Sequence, residues 1–312
     1  SDSHVMIMGM IGNPEIAWAI EKDVSFFVFE FDRLQAAADQ ARKLEKPARI
    51  HLQLETGMNR LGFEENHLER VAKFIKKHEE WLQVDGICTH YAGAESVSNY
   101  RRIMNQIESF EKHYSYLRDQ GIKEKYRHTA CSAATLNYPD TIMDMVRIGI
   151  AQYGFWPNRE TYMNFLKNYT DINKVHKDPL QRVMTWKSEV MSTKTVKPGE
   201  FIGYGTTYQT SREEQIASVA IGYSHGFKRN LTNVGIVLIN GHRARVAGLV
   251  NMNLLTIDVT HIPEVKKGDE VVIIGKQDNE EISVASFSEM INHMNYEVLV
   301  QIPSRLPREI ID

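Results

Sequence analysis

The chain has 312 residues, 42% hydrophobic and 25% charged, and its 37 Lys+Arg against 40 Asp+Glu leave a formal net charge of -3. This is the composition of a globular protein of roughly two domains, which excludes collagen, coiled coil and extended disorder, and with no basic excess nucleic acid is not an expected partner. Cys88 and Cys131 make neither a disulfide framework nor a C-x-x-C zinc pair.

No apolar run approaches the ~20 residues of a membrane span, and the opening residues do not read as a signal peptide, so a cytoplasmic protein without membrane or metal partners is expected. Ser1-Asp2-Ser3-His4 carries no initiator methionine and runs directly into the apolar stretch Val5–Met10. The chain is therefore expected to begin inside a longer polypeptide.

From there to about Tyr153, short apolar runs alternate with helix-period segments, the grammar of β/α units around a parallel sheet. Ser25–Phe29 reads as a buried strand. Asp32 is placed to cap a helix whose apolar residues Leu34, Ala38, Ala41 and Leu44 recur at helical spacing until Pro47 stops it. Arg49–Glu55 alternates as a strand through Ile50, Leu52 and Leu54, and Leu68, Val71, Phe74 and Ile75 mark the next helix. Val84–Tyr91 is strand-like. Ile103, Ile107, Phe110, Tyr114 and Leu117 line one face of a long helix closed by Gly121, and Tyr126–Cys131 and Met145–Gly149 read as two further short strands.

Trp156–Lys177 is polar and weakly periodic, which predicts an irregular connection into a helix near Pro179–Trp186. Beyond it, β-branched runs separated by turn signals at Lys197–Glu200, Asn240-Gly241 and Lys266–Asp269 predict a mainly antiparallel β domain. The expected domains are 1–178 and 179–312. A closed (β/α)8 barrel typically takes ~250 residues, so if the first domain is one, about two of its units are expected to be missing from this sequence.

No P-loop, G-x-S-x-G or H-E-x-x-H motif occurs. What does occur is a series at strand ends. His51–Phe63 places Arg60 with Gly57 and Gly62 just after a strand, where a parallel barrel keeps its chemistry. Thr89–Ala92 carries His90, His128–Ala134 carries Ser132, Val146–Gly154 carries Arg147, and in the β half Ile202–Tyr208 carries Tyr204. Singly these are weak signals, since a lone histidine is more often structural, a serine before a helix more often a cap, and an arginine in an apolar strand more often paired.

Taken with Gly222–Gly226, Asn251–Asn253 and Asn295–Glu297, however, the series in its order and spacing resembles the alanine racemase family over nearly the whole chain. The resemblance implies a (β/α)8 TIM-type barrel followed by a C-terminal β domain, pyridoxal phosphate as cofactor, and a homodimer whose active sites are shared between subunits. It implies interconversion of L- and D-alanine by two-base α-proton transfer, supplying D-alanine for peptidoglycan. Carried over by motif, Ser132, Gly149, Ile150 and the hydroxyl of Tyr296 would hold the cofactor phosphate. Arg60 would approach the phenolic oxygen and Arg147 the pyridine nitrogen. Tyr204 would be the base that takes the α-proton of the L-enantiomer in the partner's site, tuned by His90 and Arg147. Tyr223 and Met252, with Arg60, would bind substrate.

The sequence departs from the family pattern in several places. The K-A-x-A-Y-G motif, whose lysine holds the cofactor and acts as the second base, is absent, as expected if the first units are missing. Gln53 stands where many members have a carbamylated lysine, so that Arg60 has to be held by an amide or a bound anion. Glu55 stands for an Asp, Asn251 and Asn253 for a Cys and an Asp, and His225 for an Asp. These changes open two alternatives: a racemase for serine or another small amino acid, and a cofactor-binding module without racemase activity.

Overall fold

The computed structural model describes residues 3–169, 178–291 and 295–311. They form two compact units, Ser1–Gln181 and Arg182–Asp312.

In the first unit five parallel strands, β1 (Met6–Ile7), β2 (Ser25–Val28), β3 (Ala48–Gln53), β4 (Leu82–Cys88) and β5 (Tyr126–His128), lie side by side in chain order. Helices α1 (Ile16–Glu21), α2 (Phe31–Leu44), α3 (Leu68–Lys77) and α4 (Tyr100–Asp119) connect them, and α5 (Ser132–Asn137) follows β5. This is the order that consecutive crossover units build, here the sheet of a barrel. The core packs Phe26, Val28, Ile50, Leu52 and Ile87 of the strands against Leu34, Ala38, Ala41, Val71, Phe110 and Leu117 of the helices. Residues alternate across a strand, so His51 and Gln53 of β3 face the other way. They are buried too, which is how a parallel strand covered on both faces behaves.

Four expectations need correction. Glu30, extended at φ -154 and ψ 161, is the N-cap of α2, and Asp32 lies in its first turn accepting Asn13 Nδ2 at 2.7 Å. Met145–Gly149 is no strand: Arg147 makes one isolated parallel bridge to Cys131, and Gly149 at φ -106 and ψ -94 leaves extended space to start a 3-10 turn, Ile150–Tyr153. Within 156–177, Arg159–Tyr169 is a helix, α6. Its first turn is held by Asn158 Oδ1 accepting Thr161 N–H at 2.8 Å, and Trp156, Tyr162 and Phe165 cluster as an apolar anchor. Residues 170–177 lie outside the described ones. The helix expected near Pro179–Trp186 is not formed. Asp178 Oδ1 turns back onto Leu180 N–H at 2.9 Å, a competitor of helical bonding, and Trp186 already begins a strand.

The second unit is a sheet of seven antiparallel strands, β6 (Trp186–Val196), β7 (Glu214–Val219), β8 (Ile236–Ile239), β9 (His242–Val246), β10 (Leu255–Asp258), β11 (Glu270–Gln277) and β12 (Glu280–Ile282). Their order is β12-β11-β6-β7-β10-β9-β8, and a further pairing of β11 with β8 closes the sheet into a barrel around Val190, Ala217, Val237, Val246, Ile257 and Val271. The β8–β9 hairpin turns at Asn240 and Gly241, φ 46 and 72, the double positive φ of a two-residue turn. Helices α7 (Val284–Ile291) and α8 (Asn295–Gln301) follow.

Candidate active site

At the C-terminal ends of β3, β4 and β5, one side chain gathers the others. Arg147 Nη1 donates to His128 Nδ1 at 2.5 Å and to the His128 carbonyl at 2.8 Å. Its Nη2 donates to the carbonyls of Thr89 at 2.7 Å and Thr129 at 3.1 Å, with His90 Nδ1 at 3.5 Å. An arginine has five N–H donors and no acceptor. Four are thus committed to β4 and β5, and Nε–H has no acceptor among the described residues.

The histidines around this cation are neutral. Burial lowers His90 to about 4, with Arg147 and Arg60 adding to the effect. His128 is lowered by burial, Arg147 and His51 to about 2, and His51 chiefly by burial to about 4. A charged imidazole would have to shed its water and face a guanidinium.

Ser132 opens α5 directly after the β5 end. It is N1 rather than the cap, and its Oγ accepts Gly149 N–H at 2.9 Å and Ala151 N–H at 3.4 Å. These bonds tie the head of α5 to the turn that holds Gly149 and Ile150, and they leave the serine hydroxyl proton to donate.

Arg60 is exposed on a tight loop after β3, whose ends are clamped by Phe63 N–H to the Gln53 carbonyl and Glu55 N–H to the Phe63 carbonyl. Glu55 Oε1 accepts Gly57 N–H and Oε2 accepts Arg60 N–H. Burial alone would raise the Glu55 carboxyl, but the N–H groups of Asn59, Gly57, Arg60 and Met58 outweigh it and hold it below the usual range. Gln53 Nε2 donates to the Leu61 carbonyl at 3.2 Å, so its amide steadies the loop next to Arg60 through the backbone.

In the second unit Tyr204 is 74% exposed. Tyr223 and Met252 are brought together, because Tyr223 N–H bonds the Asn251 carbonyl and Ser224 N–H the Met252 carbonyl, both at 3.0 Å. Asn253 Oδ1 accepts the Ser224 hydroxyl at 2.7 Å, and His225 Nδ1 faces Gly222 N–H at 3.2 Å. Tyr296 lies on α8, half exposed.

Sequence reasoning missed two groups. His51 and His128 stood inside quoted motifs without a role, although a histidine at the non-aliphatic phase of a buried strand is a readable signal. Gln106, fully buried on α4, hydrogen-bonds the His90 carbonyl, Ala92 N–H and Thr56 Oγ1. It sits between Ile103 and Ile107 of the apolar face, where a polar residue at a core position is the available clue.

Two family models match the chain: alanine racemase, N-terminal domain, over residues 1–157 and alanine racemase, C-terminal domain, over 183–310. The chain belongs to the alanine racemase family. It is 34% identical over 308 residues to an alanine racemase of Leptospira interrogans, covering 99% of this chain and 77% of that protein. It is 37% identical over 310 residues to one of Desulforamulus reducens, covering 98% and 79%. Among solved structures, the alanine racemase of Bacillus anthracis with bound L-Ala-P superimposes with a TM-score of 0.87 at 32% identity, covering 100% of this chain and 77% of that one. That of Streptomyces lavendulae gives 0.87 at 28%, covering 99% and 78%.

Proposed function

We propose that the protein is an alanine racemase that uses pyridoxal phosphate, and that the observation carrying this reading is the setting of Arg147. With four donors fixed on His128, Thr89 and Thr129, it offers one N–H to a ligand at the strand ends. The donor set fits the cofactor. The hydroxyl of Ser132, the Gly149–Ile150 turn and the Tyr296 hydroxyl would hold the phosphate dianion, Arg60 the phenolic oxygen and Arg147 the ring nitrogen. Bound there, the cofactor supplies an electron sink for charge at the substrate α-carbon.

Arg147 keeps its proton, so it can donate to the ring nitrogen and never protonate it. This damps the sink and disfavours transamination and decarboxylation. Tyr204, exposed on its own chain, serves as the base for the L-enantiomer in the active site of a partner subunit, with His90 and Arg147 of that site tuning it. Tyr223 and Met252, with Arg60, contact substrate. The protein acts in the cytoplasm as a homodimer and supplies D-alanine for peptidoglycan. The family's K-A-x-A-Y-G motif, whose lysine would hold the cofactor and serve the opposite face, does not occur in this sequence.

The protein, incubated with pyridoxal phosphate and L-alanine in D2O, should yield D-alanine deuterated at the α-carbon. Absence of D-alanine and of exchange would overturn the reading. Racemisation of L-serine at a comparable kcat/KM would favour the broader substrate suggested by the exchange of a Cys and two Asp residues for Asn251, Asn253 and His225.

A further inference from the structure

Beneath Arg147, on the face of the sheet turned away from the helices, two histidines meet across a missing side chain. His51 stands on β3 and His128 on β5, with β4 between them. In the sheet register His51 pairs with Gly86 of β4. A Cβ on Gly86 would fall inside contact distance of His51 Nδ1 and 2.9 Å from His128 Nε2. Because that position is glycine, the two rings reach each other over the intervening strand, His51 Nδ1 to His128 Nε2 at 2.9 Å. Phe27 of β2 packs on both, its centroid 6.0 Å from the His51 ring and 5.9 Å from the His128 ring.

Every proton in this line is forced. The Arg147 guanidinium can only donate, so His128 Nδ1 must be a bare acceptor and the His128 proton must sit on Nε2. That Nε2–H points at His51 Nδ1, which must in turn be bare, so the His51 proton sits on its Nε2. A neutral imidazole in water interconverts between two tautomers, and here the outer partner selects one. We propose that His51 is a positioning residue: it fixes the tautomer of His128, and through it the setting of Arg147. The glycine at position 86 is the gap that lets it do so.

The depressed pKa values of both rings agree with a neutral pair, since a proton added to either would place N–H against N–H. With His51 replaced by an apolar residue, His128 Nε2–H would be buried against Phe27 without an acceptor, a costly arrangement. Moving the proton to Nδ1 would relieve it, and an Nδ1–H would repel the Arg147 donor. His128 would then release Nη1, and the one N–H left for a ligand would lose its fixed direction. Residues that orient a binding group in this way typically carry roughly 10–100-fold in affinity or activity.

The inference rests on the proposed contact of Arg147 with the cofactor, but its first test does not. Histidine-selective 15N labelling of the cofactor-free protein, with two-bond 1H–15N correlations, should show His128 protonated on Nε2 and bare on Nδ1. His51→Asn keeps an acceptor near the place of Nδ1 and should preserve that pattern, whereas His51→Leu should shift His128 toward the Nδ1–H tautomer. In the holoenzyme, kcat should fall roughly tenfold or more in His51→Leu with KM little changed, and the Asn variant should recover most of it. His128 carrying its proton on Nδ1 in the wild type, or an unchanged tautomer in the Leu variant, would overturn the proposal. If His51→Leu does not fold, His51→Ala read before and after addition of imidazole takes its place, and failure of imidazole to restore Nε2–H counts equally against it. Loss of racemisation in every protein, the wild type included, would refute the enzymatic reading and leave the tautomer result to decide the role of His51.

Discussion

The side-chain amide of Gln106 closes on the backbone around His90 from both directions. Its Nε2 donates to the His90 carbonyl at 3.0 Å, and its Oε1 accepts the Ala92 N–H at 2.8 Å. The same Nε2 reaches Thr56 Oγ1 at 3.4 Å, and Thr56 is bonded to Thr89 at 2.7 Å. One buried amide on α4 thereby ties the loop after β3 to the loop after β4.

Gln106→Leu keeps the volume and leaves the His90 carbonyl and Ala92 N–H unpaired. Each buried orphan costs about 1–3 kcal/mol, so a loss of roughly 2–6 kcal/mol in urea unfolding is expected, with kcat/KM falling further than a uniform stability change explains. An activity equal to wild type at a temperature where the variant is fully folded would detach His90 from this amide.

Gly62 and Gly121 both have positive φ, +136 and +84, but they differ in surroundings. A Cβ at Gly62 would meet Glu55 N at 2.5 Å and Leu54 C at 2.7 Å, whereas at Gly121 nothing lies within 4 Å. Gly62→Ala should cost about 3 kcal/mol or more and displace the Arg60 loop, and Gly121→Ala only about 1–2 kcal/mol with activity retained. Parallel thermal melts of the two variants measure the difference.

His51 and His90 are held near 4 and His128 near 2, below the ordinary 6.5 of the unfolded chain. Above that value both states carry neutral imidazoles and these groups contribute no pH dependence. As pH falls below about 6.5 the unfolded chain takes up protons that the folded one refuses, so stability must drop down to the folded values. The slope is about 1.4 kcal/mol per pH unit for each histidine, and His78 and His113, also lowered by burial, act in the same direction. Urea midpoints at pH 7.5, 6 and 5 should fall steadily. His90→Asn should reduce the slope by one proton, and a flat profile would place the rings in water.

If Tyr204 serves one face of the substrate and a lysine the other, Tyr204→Phe slows racemisation in both directions equally, because the equilibrium constant between enantiomers is near unity. Exchange of the α-proton with solvent need not be symmetric. Deuterium wash-in by NMR should persist for D-alanine and collapse for L-alanine. Equal residual exchange would assign Tyr204 to orienting rather than to proton transfer.

The parallel order of the first unit and the antiparallel second unit were legible, because strand and helix periods and the Asn240-Gly241 turn are local signals. The helix α6 was not, since its apolar anchors Trp156, Tyr162 and Phe165 are sparse and its start depends on the Asn158 cap. Arg147 was legible as a site candidate, but the strand expected around it, Met145–Gly149, is not formed, because the Gly149 backbone leaves extended space two residues later. Gln106 and the His51–His128 pair were illegible in their roles. Their partners lie 14 to 77 residues away in sequence, and no spacing rule connects them.

The barrel of the second unit closes through β11, which pairs with β6 on one side and β8 on the other and also with β12. Glu189 of β6 finds its partner Glu270 only about eighty residues later. During synthesis β6 and β8 are therefore finished long before the strand that joins them exists. Both present unpaired backbone edges in the interval, a condition that favours slow folding and mispairing. Substitutions in β11 that weaken strand formation should thus lower the yield of folded protein more than its final stability suggests.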